Sequence, residues 1–369
     1  MTAPQLEIQL IASVVAVACA LPGVFLVLRR MAMMSDAISH SILLGIVLAF
    51  FLVRDLSSPL LVLAAALAGR LTVSLVERLR RTKLVREDAA IGLVFPAMFS
   101  AGVILISRYA GSVHLDVDSV LLGELAFAPF HRLVLYGADF GPKGLWMMSA
   151  ILLLNLAFIL VFYKELKVAT FDEALAGALG LAPAAIHYAL MSLVAVTAVG
   201  AFDAVGSILV VALMIGPPAT AYLMTDRLSR MLAASALIGV ACAVGGYWAA
   251  HWLDASIAGC MATVAGILFL AAFLAVPGRG LVAVTLRRAR QRIEFARTML
   301  VVHLYHHEGL PEERRENRVD HLQEHLRWPP DFAGRVVSAA RRNGMVSLED
   351  GVLLLTAEGR EQAKRAMVG

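Results

Sequence analysis

Nine apolar segments recur along this chain, and each has a length that can cross a lipid bilayer. They cover residues 8–28, 32–53, 60–76, 89–107, 145–162, 185–200, 205–224, 231–253 and 256–276. Inside a bilayer every backbone N–H and C=O group must find a partner within the protein, so such segments fold as helices. Because 60% of all residues are hydrophobic, the sequence predicts an all-α polytopic membrane protein of about nine spans. Residues 185–224 allow two spans or one broken helix.

Basic residues mark one side of the predicted membrane. They follow the first, third, fifth and seventh segments, whereas the alternate connections are acidic or nearly neutral. The excess of Lys and Arg marks the cytoplasmic side. We therefore predict a multi-pass protein of the cell membrane, with its N-terminus outside and everything after residue 277 in the cytoplasm.

Two ionisable residues, Asp36 and His40, lie inside the second apolar segment. Residues four apart share one face of a helix, so the two side chains lie one turn from each other. A charged residue at the centre of a span costs about 3 kcal/mol, so its presence needs a reason. A carboxylate with an imidazole can bind manganese, iron or zinc. The alternative is a buried hydrogen bond that holds two helices together.

Two connections between spans have polar character. Residues 115–124 predict an external loop and a short helix at the membrane surface; the alternative is a re-entrant helix in which Glu124 is functional. Residues 170–183 predict a short cytoplasmic helix with Thr170 as N-cap and Gly180 as C-terminal cap. This helix suits insertion into a groove of a partner protein, and a surface helix without a partner is the alternative.

A run of Gly216, Pro217 and Pro218 lies near the end of the seventh segment. The two prolines remove two backbone donors, which predicts a break in the helix. Within a membrane such breaks are tolerated beside a cavity or against protein, and they often line transport paths. A kink that serves only packing is the alternative.

The composition changes after residue 277, where polar residues replace the apolar segments. We predict three parts: a transmembrane domain over 1–277, a basic juxtamembrane linker over 278–292 and a cytoplasmic domain over 293–369. The basic linker is placed to contact anionic lipid headgroups. In the last part, helices precede a two-stranded ribbon with a turn at 349–351, and Thr356 caps a final helix. This order predicts a small α+β winged helix.

The tail contains candidate ligands for metal and for nucleic acid. Its third helix carries three arginines that can reach phosphates or base edges, Arg335, Arg341 and Arg342. The tail's surplus of basic charge is mild, so binding to a protein or to a metal fits the tail at least as well as binding to nucleic acid. Four histidines at helical spacing are candidate regulatory metal ligands, with solvated surface histidines as the alternative: His303, His307, His321 and His325.

Together these motifs resemble the permease subunit of bacterial ABC importers for manganese, zinc and iron. The resemblance covers residues 8–277 and rests on four segments, 34–41, 122–124, 171–174 and 205–221. The tail resembles the DNA-binding part of diphtheria-toxin-repressor-like metal regulators, notably over residues 355–359.

The resemblance implies the membrane subunit of an ATP-driven importer of a divalent transition metal, with the metal as substrate and no tightly bound cofactor. It implies that Asp36 and His40 hold the ion in transit. The residues implied to couple the chain to an ATPase are Phe171, Asp172, Glu173, Ala174, Gly177 and Gly180. The expected partners are an ATPase dimer, an extracellular metal-binding protein and a second permease copy or paralogue.

The sequence has no GxxxxGK[ST] phosphate loop, so a separate chain must supply ATP hydrolysis and the permease itself is not an enzyme. One alternative is an ion-coupled secondary transporter that acts without an ATPase. It should show repeated halves and more intramembrane acids, and neither is clear. Another alternative, an intramembrane metalloprotease, requires a motif such as H-E-x-x-H, which is absent.

Overall fold

The computed structural model describes residues 3–54, 59–109, 125–135 and 138–368. The chain divides into two compact units, Met1–Val276 and Pro277–Gly369. Each unit has its own hydrophobic core.

The first unit is built from eleven α-helices in its described part. They are α1 Ala3–Leu28, α2 Met33–Val53, α3 Pro59–Arg81, α4 Glu87–Tyr109, α5 Lys143–Val161, α6 Tyr163–Phe171, α7 Glu173–Ala178, α8 Pro183–Val205, α9 Ser207–Met224, α10 Leu228–Leu253 and α11 Ile257–Ala275. Eight of them are long and apolar enough to cross a membrane. Helix α3 has a comparable length but carries charged residues, mostly near its C-terminal end, and is not among the eight. The prediction of a mostly helical polytopic protein is confirmed.

Helix α1 lies at the centre of the first unit. It packs against α5, α8, α9 and α10, and its residues are buried on most sides. A helix surrounded by others is apolar all round, which explains why α1 has no polar face. Helix α2 packs mainly against α3 and α4 and also contacts α8.

Residues 185–224 form two helices. Gly206 separates α8 from α9, and its φ of 78° belongs to the left-handed region that favours glycine. The interruption is a single residue, so the structure has two helices joined by one glycine.

The predicted helix break at Gly216, Pro217 and Pro218 is wrong, because α9 continues through both prolines to Met224. A proline at 218 leaves the carbonyl of Met214 without its intrahelical donor. Gly23 of α1 packs directly against that carbonyl, and a Cβ on Gly23 would overlap it. Helix α1 therefore approaches α9 closely at the point where this hydrogen bond is missing.

A short β-hairpin interrupts the helical pattern of the first unit, so the prediction of an all-α domain is wrong at this point. A 3-10 helix, Leu125–Phe130, precedes strands β1 Arg132–Leu135 and β2 Ala138–Pro142. Arg132 forms an ion pair with Asp139 on the partner strand and lies 3.5 Å from Glu7 at the start of α1. The predicted external loop and Glu124 lie outside the described residues.

The second unit contains five helices and a hairpin in its described part. They are α12 Leu281–His307, α13 Glu313–Glu316, α14 Val319–His325, α15 Pro330–Arg342, β3 Val346–Glu349, β4 Val352–Leu355 and α16 Ala357–Val368. The strands pair antiparallel around a turn at Asp350 and Gly351, as the sequence predicts. Thr356 caps α16 as predicted, because its Oγ1 accepts from the Gly359 N–H at 3.1 Å.

The region predicted as a linker, 278–292, is mostly the first part of α12. The guanidinium of Arg292 lies 4.6 Å from the ring centroid of Phe332 in α15. This cation–π contact attaches the end of the predicted linker to the core of the second unit.

Candidate functional site

Asp36 and His40 form a pair on α2, with 3.4 Å between Asp36 Oδ1 and His40 Nε2. Their side chains are 31% and 29% exposed on the single chain, respectively. The pair is therefore open to a ligand or to another chain.

The serines beside the pair do not extend this ligand set. The hydroxyl of Ser39 donates to the Ser35 carbonyl at 2.8 Å, and that of Ser41 donates to the Ile38 carbonyl at 3.1 Å. Both side chains are buried and turned back onto their own helix.

Two aromatic rings of α4 flank the imidazole of His40. The ring centroids of Phe95 and Phe99 lie 5.9 Å and 5.7 Å from that of His40. Among the described residues, the pair has no third histidine, cysteine or carboxylate within metal-binding reach. One chain alone thus offers one oxygen and one nitrogen beside an apolar wall.

The predicted coupling helix is present as α7, but Thr170 is not its N-cap. Thr170 lies inside α6, and Asp172 caps α7 by accepting from the Leu175 N–H at 2.9 Å. Gly180 follows the helix with a φ of 75°, as expected for a C-terminal glycine. A carboxylate at the N-cap also interacts favourably with the helix dipole.

The segment around α7 exposes an apolar surface. Phe171, Leu175 and Leu179 are 61%, 48% and 60% exposed, whereas Ala176 is buried against the rest of the unit. Glu173, Ala174, Gly177 and Gly180 are also exposed. Three large apolar side chains so close together on a short segment are typical of a protein interaction site.

Arg29, one of the basic residues that follow the first apolar segment, connects α6 to the end of α1. Its Nε donates to Thr170 Oγ1 at 3.2 Å, and its Nη1 lies 3.2 Å from Nδ1 of His187 in α8. A guanidinium can only donate, so Nδ1 of His187 accepts. Burial lowers the pKa of Arg29, and the negative charge of Glu173 opposes that shift. No short-range pattern in the sequence indicates these contacts.

Asn155 is a second polar residue that the sequence analysis missed. Its amide donates to the Ala18 carbonyl at 2.8 Å and to Thr197 Oγ1 at 3.0 Å, and both side chains are fully buried. This network joins α1, α5 and α8. The sequence did contain a signal for Asn155, because an amide side chain within an apolar segment is costly unless it has hydrogen-bond partners.

Three of the four predicted histidines of the tail, His303, His307 and His321, lie near one carboxylate, that of Glu316. His303 and His307 lie together with Glu316, which the sequence analysis did not name, while His321 Nδ1 lies 3.3 Å from Glu316. The side chain of His325 is outside the described part of the chain.

The sequence model of the ABC 3 transport family matches residues 6–276. The chain belongs to this family. Within the family, the chain is 49% identical over 354 residues to the zinc transport system membrane protein TroD of Treponema pallidum, covering 96% of each chain. It is 48% identical over 282 residues to the manganese transport system membrane protein MntD of Bacillus subtilis, covering 76% of this chain and 95% of that one.

A solved structure also resembles this family member. The structure of PsaBC from Streptococcus pneumoniae in complex with Fab has 28% identity and a TM-score of 0.62, covering 76% of this chain and 94% of that one. The chain is therefore a multi-pass permease subunit of an ABC transporter and is not itself catalytic. The predicted likeness to ABC importer permeases is confirmed over residues 6–276, while that of the tail to metal regulators stays a prediction.

Proposed function

We propose that this chain is the membrane subunit of an ATP-driven importer that brings manganese, zinc or iron into the cytoplasm. The observation that carries this proposal is the family match over residues 6–276. The names of the zinc and manganese relatives support the class of substrate. The ATPase dimer and an extracellular metal-binding protein are the implied partners.

In this proposal Asp36 and His40 hold the metal ion during transit. One oxygen and one nitrogen suit manganese, iron or zinc, but two ligands do not complete a coordination shell. A second permease copy or paralogue completes the site by presenting the same pair. Two facing pairs supply four ligands, and the partial exposure of both side chains supports this arrangement.

The coupling helix α7 docks on the ATPase. Leu175 of this helix, with Phe171 just before it and Leu179 just after it, supplies the exposed apolar contact. Movement of this helix reaches the pore through Arg29, which contacts Thr170 and stands four residues before the start of α2. The metal-binding pair lies within the first two turns of that helix.

The chain crosses the membrane nine times, with its N-terminus outside. Glu7 and Arg132 bring the start of α1 near the hairpin that precedes α5. The start of α1 and the hairpin therefore lie on the same side of the membrane. Because residues 110–124 are too polar to cross, α1 to α4 together make an even number of crossings. Three of these four helices have the composition of a span, so α3 supplies the fourth crossing.

The second unit is a cytoplasmic winged helix, in which β3 and β4 form the wing. Helix α15 is amphipathic, with Phe332, Val336 and Ala340 in the core and Arg335 exposed. The alignment with the Treponema relative covers 354 residues, and Met1–Val276 can supply at most 276 of them. The alignment therefore extends into the second unit, which supports a role for this unit that the two proteins share. Contact with protein or metal fits the mild charge better than strong binding to nucleic acid.

Reconstitution tests the proposed function. The chain is placed in proteoliposomes with its ATPase and second permease, and uptake of radiolabelled manganese, zinc and iron is measured with and without ATP. We expect ATP-dependent accumulation of at least one of these metals. Equal uptake without ATP would instead indicate a secondary transporter.

A further inference from the structure

Three potential metal ligands come together in the second unit. His303 and His307 lie one turn apart near the C-terminal end of α12, and Glu316 ends α13. One nitrogen from each imidazole and one carboxylate oxygen all lie within 4.8 Å of one another. No other group of three such ligands occurs in the part of the chain that the structure describes.

We propose that His303, His307 and Glu316 form a binding site for a divalent transition metal, separate from the pair in the membrane unit. Two imidazoles and one carboxylate suit zinc, iron(II) or manganese, whereas calcium and magnesium prefer oxygen ligands alone. Three protein ligands leave room for water on the ion. Such a site exchanges its metal more readily than a closed structural site.

The local geometry needs only a small adjustment to close around an ion. Ligand atoms of a tetrahedral zinc site lie about 3.3 Å apart, so the widest separation here shortens by roughly 1.5 Å. The two rings already lie close, with 4.8 Å between the centroids of His303 and His307.

The surroundings favour a cation. Both histidines lie near the C-terminal end of α12, where the helix dipole presents partial negative charge. Glu316 is 12% exposed, and His321 beside it can orient its carboxylate by a hydrogen bond. The limited exposure reduces competition from water.

Metal at this site would link α12 to the hairpin. The residue after Glu316, Asn317, accepts a backbone hydrogen bond from the Leu353 N–H in β4 at 2.9 Å. Arg318 forms a β-bridge with Val352. An ion held by α12 and Glu316 therefore fixes the position of β4 relative to α12, and its release frees that contact.

The site goes beyond the proposed transport function, and metal binding here does not depend on it. Its ligands suit the same metals that the proposed function assigns to the membrane unit. The second unit is thus equipped to respond to the concentration of transported metal.

Cobalt(II) is the spectroscopic probe that tests this site. The full-length protein in detergent, carrying Asp36→Asn to remove the membrane pair, is stripped of metal and titrated with cobalt(II). We expect one bound ion per chain, visible absorption bands, displacement by zinc and a higher melting temperature. His307→Gln and Glu316→Gln should each weaken binding by about 100-fold or more, since loss of even an outer partner commonly costs 10- to 100-fold.

His306→Gln is the matched control, because His306 is exposed on the same helix and lies outside the ligand group. It should bind cobalt(II) as the parent does. Melting curves recorded in chelator first verify that each variant folds. If His307→Gln does not fold, the cobalt(II) titration of the isosteric Glu316→Gln provides the test. Unchanged affinity in the folded ligand variants, or an equal loss in His306→Gln, would overturn the site without bearing on transport.

Discussion

Asp36 lies in the first turn of α2, where the positive end of the helix dipole favours a negative charge. His40 stands one turn further on, between Asp36 and two phenylalanine rings. The helix end lowers the cost of the carboxylate, and the apolar rings limit access of water to the imidazole. A site with only two ligands from one chain binds weakly by itself, which suits an ion that must be released.

Arg29 is the residue whose replacement best tests the link between α7 and α1. Arg29→Lys keeps the charge, but an ammonium cannot reproduce the forked contacts with Thr170 and His187. We expect a loss of roughly 1.5–3 kcal/mol of local interaction energy, seen as fewer ions transported per ATP hydrolysed. ATP hydrolysis and uptake are measured together in proteoliposomes.

Arg30→Lys is the control, because Arg30 is exposed at the neighbouring position. It should transport as the parent does. A normal ratio of ions to ATP in Arg29→Lys would show that these contacts only stabilise the fold.

At the scale of helices, the apolar segments predict most of the fold because each must satisfy its own backbone in lipid. The exceptions depend on neighbours that a local pattern does not reveal. Helix α9 continues through its prolines, and Gly23, almost 200 positions earlier, packs on the Met214 carbonyl that Pro218 leaves without a donor. The hairpin β1–β2 is another exception, because its strands are short and its ion pair with Glu7 joins segments that are far apart in the sequence.

Gly23→Ala tests this close packing between helices α1 and α9. The added methyl group would overlap the Met214 carbonyl and push the helices apart. We expect a loss of about 1–3 kcal/mol, measured as a lower melting temperature in detergent. Gly92→Ala is the control because a Cβ there meets no atom within 4 Å, and it should melt like the parent. Equal melting of both variants would contradict the close packing.

Gly177→Trp tests the docking of α7 on the ATPase. A Cβ at Gly177 has no neighbour within 4 Å, so the chain itself accommodates the substitution. In a groove of the ATPase the indole would clash, so we expect normal insertion and melting but at least a tenfold loss of ATP-driven uptake, about 1.4 kcal/mol. Gly266→Trp in α11 is equally open and should retain uptake. Wild-type uptake by Gly177→Trp would exclude this docking surface.

At the scale of the whole molecule, the sequence predicts the closeness of Asp36 to His40 and the short helix α7 because both are local motifs. Contacts such as Arg29 with Thr170, 141 positions apart, depend on the tertiary fold and leave no periodic signal. Glu316 was missed for the same reason, since its histidine partners lie on another helix.

Labelling of single cysteines tests the nine crossings. The parent carries Cys260→Ser, because Cys19 and Cys242 are buried. We expect an impermeant maleimide to label Arg54→Cys, just before α3, in right-side-out membrane vesicles, and Leu84→Cys, just after α3, only after permeabilisation; both positions are exposed. Labelling of both positions from the same side would show that α3 does not cross.

Metal uptake by Asp36→Asn is the most direct test of the central claim that Asp36 and His40 hold the ion in transit. The substitution keeps the shape of the side chain but removes the charge that offsets a dication, so ATP-driven uptake of manganese and zinc should collapse while the melting temperature stays near that of the parent. Asp254→Asn is the control, because Asp254 has a left-handed backbone that asparagine also tolerates. If Asp36→Asn instead imports metal at the wild-type rate, the pair is a structural hydrogen bond and the metal passes elsewhere.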